Sequence, residues 1–153
     1  MQNLRTALDL GALTAEAVRQ DFRRDGAGID MAHNSDSGFP AWLPKAPQIQ
    51  AAIAEIEGLV NGKANHIMLN RLRPHDNVLP HRDQMDVGER WHLPLVTNPR
   101  AIWWDEMDGK EVHMEVGFWY GPVPYKVEHS VWNDGETERI HLVVDVHRLN
   151  ERR

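Results

Sequence analysis

Residues 139–147 read RIHLVVDVH, and this stretch decides the fold. Ile140, Leu142, Val144 and Val146 fall on one side of an extended chain, with His141, Val143, Asp145 and His147 on the other. Successive side chains of a strand point to opposite faces, so the period of two marks a β-strand. Upstream, KVEHSVW (126–132) reads as another strand, and the polar residues NDGETE (133–138) between them read as a turn. A hairpin there brings Arg139 alongside His129. Further back lie ANHIMLNRL (64–72), RWHLPLVT (90–97), RAIWWDE (100–106) and KEVHMEV (110–116), short runs broken by Pro, Gly, Asn and Asp. This spacing predicts an all-β sandwich or barrel.

The first third has a different texture. TAEAVRQDFRR (14–24) predicts a helix capped by Thr14, with Ala15, Val18 and Phe22 at helical spacing. APQIQAAIAEIEGLV (46–60) predicts a second: Pro47 suits its first turn, Ile49, Ile53, Ile56 and Val60 share a face, and Asn61-Gly62 ends it. Between them, residues 25–44 carry loop chemistry, three glycines and two prolines among Asn, Asp and Ser. They are a candidate lid, with His33 and Asp36 as candidate site residues, although polar loop side chains are more often simply solvated.

At 153 residues, 41% hydrophobic and 26% charged, the chain is expected to form a single domain, 1–63 as a helical support and 64–148 as the β core. It has no cysteine, which removes disulfides and thiolate ligands and leaves nitrogen and oxygen to hold any metal. No signal peptide and no run of eighteen apolar residues is present, so a cytoplasmic protein without a membrane span is expected. A formal net charge of -6 argues against nucleic acid as partner.

The segment LPHRDQMDVGERWHLPL (79–95) crowds ionisable groups between apolar runs. His81 and Asp83, two apart in an extended segment, face the same side and offer a nitrogen and an oxygen to one point. A second histidine from a distant strand would complete a two-histidine, one-carboxylate site, which leaves half of an octahedral iron(II) shell open. His-x-Asp alone is weak, since it arises often by chance. Arg139, ten residues after His129, strengthens it, because a planar guanidinium suits bidentate capture of a carboxylate deep in a barrel.

From Asn65 to His147 the sequence resembles the iron(II)- and 2-oxoglutarate-dependent oxygenases, specifically the aspartyl/asparaginyl β-hydroxylase-like branch, and is similar to bacterial proline cis-hydroxylases. The resemblance rests on the order and spacing of RLRPHDNVLPHRD, RWHLPL, EVGFWY and HSVWNDG followed by R-x-HLVVDVH. It implies a double-stranded β-helix, the jelly-roll or cupin-like barrel, with the two helices packed outside. It also implies His81, Asp83 and His129 as ligands of iron(II), and Arg139 as partner of the 2-oxoglutarate C5 carboxylate. Arg90 and His92 match the family's Arg-x-His segment and would contact the co-substrate or an acidic substrate, and Asn70 falls where a polar residue touches the co-substrate. The implied reaction consumes O2 and 2-oxoglutarate, releases succinate and CO2, and hydroxylates an unactivated C–H bond. Animal members lack an acidic residue at the position of Asp83, so their substrate does not carry over.

For the other residues the plainer readings are kept beside these. His113 and His141 are candidates to line the pocket but are more often structural histidines. Trp103 and Trp104, adjacent in a strand, cannot both face the core without a bulge. Arg90, with Arg82 and Arg73 nearby, suggests a small-molecule or peptide substrate carrying a carboxylate. The alternative reading is a cupin-like metal- or ligand-binding protein without oxygenase activity, which would have no need of Arg139.

Overall fold

The computed structural model describes residues 1–32, 38–83, 88–124 and 126–149. Eleven strands and two α-helices follow in the order β1 (Gln2–Arg5), α1 (Leu10–Val18), β2 (Arg23–Arg24), β3 (Asp30–Ala32), α2 (Pro47–Val60), β4 (Gly62–Leu72), β5 (Asn77–His81), β6 (Glu89–Val96), β7 (Ala101–Asp105), β8 (Lys110–Val112), β9 (Phe118–Gly121), β10 (His129–Asn133) and β11 (Arg139–Arg148). They form a jelly roll of two antiparallel sheets. The larger runs β1-β9-β6-β11-β4-β3-β2 and the smaller β5-β10-β7-β8. The expected closed barrel is replaced by two open sheets with free edges at β1, β2, β5 and β8.

Strand β11 lies at the centre of the large sheet, paired with β4 from Arg139↔Leu72 to Arg148↔Gly62 and with β6 on its other side. Its residues 139–146 are all buried, because the sheet is covered on both faces. The alternation assigns each face a task. Leu142, Val144 and Val146, with Ile67 and Leu69 of β4 and Trp91, Leu93 and Leu95 of β6, pack against Leu13 and Ala17 of α1 and Ile49, Ile53 and Ile56 of α2. Each fully buried side chain of this size contributes about 2 kcal/mol, so the shared core outweighs intrinsic propensity in placing the helices. Trp91 packs so closely over Gly121 that a Cβ there would collide with its indole ring. The opposite face carries Met68 and Asn70 of β4, Arg90 and His92 of β6, and Arg139 and Val143 of β11 into a cavity.

Helix α1 starts five residues before its predicted start. Asp9 is the N-cap, its carboxylate accepting from the Ala12 amide at 3.2 Å, and Thr14 lies within the helix. The helix ends at Val18 because Leu13 and Ala17 supply its buried face, while Phe22 packs separately against the core and under Arg71. Helix α2 starts at Pro47 as predicted, although Ala46 offers no capping side chain. Glu16 of α1 takes that role, accepting from the amides of Gln48 (3.1 Å) and Ile49 (2.8 Å). Asn61 closes the helix at φ 53°.

The first 63 residues are not purely helical, since β1 joins the sheet edge beside β9, and β2 and β3 extend it beyond β4. Residues 25–32 of the expected lid form the turn and second strand of the β2–β3 hairpin, whereas His33 and Asp36 lie outside the described residues. Trp103 is buried and Trp104 half-buried, as alternation requires. Among the described residues no helix is long and apolar enough to cross a membrane.

Candidate metal and carboxylate site

A cavity of about 200 Å³ lies between the sheets. The small sheet brings His81, the last residue of β5, directly opposite His129, the first of β10. Asp83 follows two residues after His81, and its Oδ1 lies 3.3 Å from His81 Nε2 while its Oδ2 lies 3.4 Å from His129 Nε2. The three donor atoms are all within 4.8 Å of one another. Both rings are oriented from behind: His81 Nδ1 donates to the Leu79 carbonyl at 2.7 Å and His129 Nδ1 to the Val127 carbonyl at 2.8 Å. With Nδ1 committed to a carbonyl, each ring turns its Nε2 toward Asp83, the nitrogen whose lone pair a metal would take in place of a proton. Trp103 stacks on His129 with ring centroids 5.3 Å apart.

Burial alone would raise the Asp83 carboxyl pKa, but the His129 hydrogen bond and the charges of Arg90, His129 and His81 outweigh it and hold it at about 2. An ionised carboxylate with two imidazoles is a donor set suited to a first-row divalent metal with open positions, iron(II) included.

Arg90 is engaged differently from its expectation. Its Nε and Nη2 grip Asp145 of β11 at 2.8 and 3.0 Å, and its Nη1 reaches Asp83 at 3.1 Å. Asp145 and Arg90 are register partners, so the sheet pairing itself forms this link. His66 adds a contact to Asp145 at 3.5 Å. The Arg90 guanidinium thus binds carboxylates of the protein and steadies Asp83. Arg73 is occupied as well: it joins Arg71 and Arg24 around the fully buried Asp30 at 2.8–3.0 Å. Of the three arginines expected near an acidic substrate, Arg82 alone has no protein carboxylate among the described residues, its Nη2 lying 3.8 Å from the Met107 sulfur.

Arg139 enters the same cavity from the large sheet with 3% of its surface exposed. Among the described residues no carboxylate pairs with it. Burial pushes its pKa down to about 9, which leaves it a cation at neutral pH. A buried charge without a counter-ion is costly, and an anionic ligand removes that cost. Asn70 Oδ1, on the neighbouring strand, is buried and has no hydrogen-bond partner among the described residues. His92 lines the cavity and pairs through Nδ1 with His141 Nδ1 at 2.9 Å. His113 binds the Ala101 carbonyl at 3.0 Å.

Of the residues read from sequence, His81, Asp83, His129, Arg139, Arg90, His92 and Asn70 line this cavity, whereas His113, His141, Arg73 and Arg82 do not, and His33 and Asp36 lie outside the described residues. The sequence reading did not anticipate the supporting role of Asp145, nor that the candidate lid would contribute Ala27, Ile29 and Met31 to the cavity wall from a β2–β3 hairpin. Asp145 did leave a signal, a charge at the same parity as His141 and Val143 in a buried strand.

A family model described as aspartyl/asparaginyl beta-hydroxylase matches residues 33–149. No curated protein matches the chain in sequence. In structure it is similar to an oxidoreductase of the 2OG-Fe(II) oxygenase family from Burkholderia pseudomallei, with a TM-score of 0.71 at 16% identity over 99% of this chain and 88% of that one. HygX from Streptomyces hygroscopicus, solved with nickel and 2-oxoglutarate bound, gives 0.65 at 10% identity over 97% and 82%. The viral collagen prolyl hydroxylase of Paramecium bursaria Chlorella virus-1, a 2OG complex, gives 0.61 at 10% over 97% and 96%. At such identities these likenesses establish a shared fold.

Proposed function

The chain belongs to the aspartyl/asparaginyl beta-hydroxylase family of iron(II)- and 2-oxoglutarate-dependent oxygenases, and on that premise we propose that His81, Asp83 and His129 hold its iron while Arg139 holds the far carboxylate of 2-oxoglutarate. The observation that carries this reading is a buried guanidinium without a protein carboxylate in the same cavity as the three ligands. When bound, iron and 2-oxoglutarate supply oxidative decarboxylation to succinate and CO2, coupled to oxygen insertion into an unactivated C–H bond.

The chain's own residues bind and orient. His81 and His129 present lone pairs because their other nitrogens are committed to backbone carbonyls. Asp83 offsets two charges of the metal by one and is steadied by Arg90, which Asp145 anchors. Arg90 thereby acts through Asp83 rather than by capturing the co-substrate. Arg139 supplies a fork of donors for one carboxylate, and Asn70 and His92 add polar contacts beside it. Trp103 and the hairpin residues Ile29 and Met31 give the opening apolar walls that exclude water.

The substrate is an amino acid or a peptide side chain, with Asp and Asn among the candidates, entering beneath the hairpin. Arg82 is the guanidinium left to meet a carboxylate on it. The test is anaerobic titration of metal-free protein with iron(II) and 2-oxoglutarate, monitored by the visible charge-transfer band of a keto acid chelating iron(II). The band is expected in the wild type, and Arg139→Met should retain iron but need far more 2-oxoglutarate. Metal binding with no band at saturating 2-oxoglutarate would instead identify a metal-binding jelly roll without oxygenase chemistry.

A further inference from the structure

The chemistry of the cavity wall changes from one end to the other. Arg139, Asn70 and His92 are assigned above to the co-substrate, and Arg90 is consumed by Asp145 and Asp83. Beyond these and the three metal ligands the lining is apolar, with Ile29, Met31, Val78, Trp103, Val131 and Val143 among it. The one charged exception in that part of the wall is Asp25.

Asp25 opens the turn of the β2–β3 hairpin, and the turn is held in place. The Asp25 amide donates to the Ile29 carbonyl at 2.7 Å, the Gly28 amide to the Asp25 carbonyl at 3.1 Å, and the Ala27 amide to Asp25 Oδ1 at 2.8 Å. Gly28 sits at φ 85°, where a Cβ would stand 3.3 Å from the Asn77 carbonyl oxygen, so the turn rests against the start of β5. Asp30, buried among Arg24, Arg71 and Arg73, fastens β3 to β2 and β4. The cations beside Asp25 in sequence are taken by other carboxylates. Arg23 meets Asp21 at 2.9 Å, and Arg24 meets Asp30 at 3.0 Å and Asp76 at 2.9 Å. Among the described residues no cation pairs with Asp25, and its Oδ2 is left facing outward from the turn without a partner.

Size narrows what can enter. The cavity of about 200 Å³ falls below the roughly 300–1,000 Å³ of pockets that enclose a drug-sized ligand. With a co-substrate inside, it admits a small molecule or a single side chain. A carboxylate or amide drawn toward the metal would leave water for an apolar wall with no free donor, which is unfavourable. A hydrocarbon group gains from the same burial, and a cation at the mouth gains a charge-assisted hydrogen bond from Asp25.

We propose that the substrate is an amino acid with a hydrocarbon side chain, held with its C–H bonds toward the three metal ligands and its ammonium group on Asp25. Asp and Asn are then the poorer fits among the candidates, because their side chains carry polar groups into the apolar wall. This inference rests on the oxygenase reading of the cavity.

Anaerobic thermal unfolding of the protein loaded with iron(II) and 2-oxoglutarate reads binding without turnover. The probes are L-proline, L-valine, L-leucine, L-isoleucine, L-aspartate and L-asparagine, with the N-acetyl derivative of each. At least one free aliphatic amino acid is expected to raise the midpoint, and neither L-aspartate, L-asparagine nor any N-acetyl derivative to match it. Asp25→Asn keeps an oxygen for the Ala27 amide and removes only the charge, so it isolates the ammonium contact. In that variant the half-saturating concentration of the free amino acid should rise about fivefold, the size of one exposed ion pair, with Asp25→Glu recovering part of the loss. Turnover followed by succinate release should show the change in KM rather than in kcat. Preference for L-aspartate or L-asparagine, no response to any free aliphatic amino acid, or equal affinity in Asp25→Asn overturns the inference. The charge-transfer band separates the two failures. If iron(II) and 2-oxoglutarate form no band, the oxygenase reading fails and this inference falls with it; a band together with any of those three outcomes overturns this inference alone.

Discussion

Arg90 and Arg139 are both cations turned toward one cavity from neighbouring strands of one sheet, yet their surroundings are opposite. Arg90 is saturated, bidentate to Asp145 and bonded to Asp83. Arg139 is buried more deeply and has no protein carboxylate among the described residues. One end of the cavity is electrostatically complete, and the other is complete only with an anion from outside. Residue type alone does not separate a structural arginine from a ligand-binding one; the presence of a register partner with a carboxylate does.

The contrast is most exposed to refutation in stability. Arg90→Met strands Asp145 and Asp83 in a buried site and is expected to destabilise the protein by about 3–5 kcal/mol, as breaking a buried ion pair does. Arg139→Met removes an unpaired buried charge and is expected to leave the ligand-free protein as stable or more stable by about 1–3 kcal/mol, with 2-oxoglutarate binding much weakened. Chemical denaturation of both variants compares them, and equal destabilisation would mean that Arg139 has a partner of its own.

Ligand addition sharpens the same comparison. 2-Oxoglutarate with metal at a hundred times its Kd should stabilise the wild type by about 2.7 kcal/mol in thermal unfolding and leave Arg139→Met unmoved. Acid probes the completed end. Asp83 has a folded pKa of about 2, below the unfolded value of about 3.9. Its contribution in metal-free protein, about 2–3 kcal/mol, is therefore fully present above roughly pH 4 and is lost as the pH falls through about 2. Asp83→Asn should flatten that part of the stability–pH curve, and an unchanged slope would assign the acid transition elsewhere. The smallest effect belongs to Arg82→Ala at the exposed rim. Its stability should stay within about 0.5 kcal/mol of wild type, with iron and 2-oxoglutarate affinity unchanged. A loss of either would place Arg82 inside the site.

What could be read in the sequence tracks how local its cause is. Helix α2 was legible because its apolar face and its Asn61-Gly62 stop are local features. The alternation of RIHLVVDVH carried both the strand and its division into two faces. Strands β1, β2, β3 and β9 were not recognised as strands. They are two to four residues long, and β1 and β2 lie at sheet edges with mostly exposed residues, so their partners define them more than their own pattern does. The N-cap of α1 was misplaced because Thr14 and Asp9 are both competent caps, and only packing of Leu13 and Ala17 against α2 selects between them.

The candidate site divides along the same line. His-x-Asp at 81–83, and Arg139 ten residues after His129, are short-range spacings on extended chain, and alternation alone orients them. By itself the sequence determined which donors exist, that none is a thiolate, and which strand faces they share. Tertiary structure decided which charges are consumed and which stay open. Arg90 meets Asp145 through pairing of β6 with β11, 55 residues apart in the chain, and His92 meets His141 across the same pair at 49. Electrostatic energy depends on distance in space and on burial, and neither is a property of sequence separation.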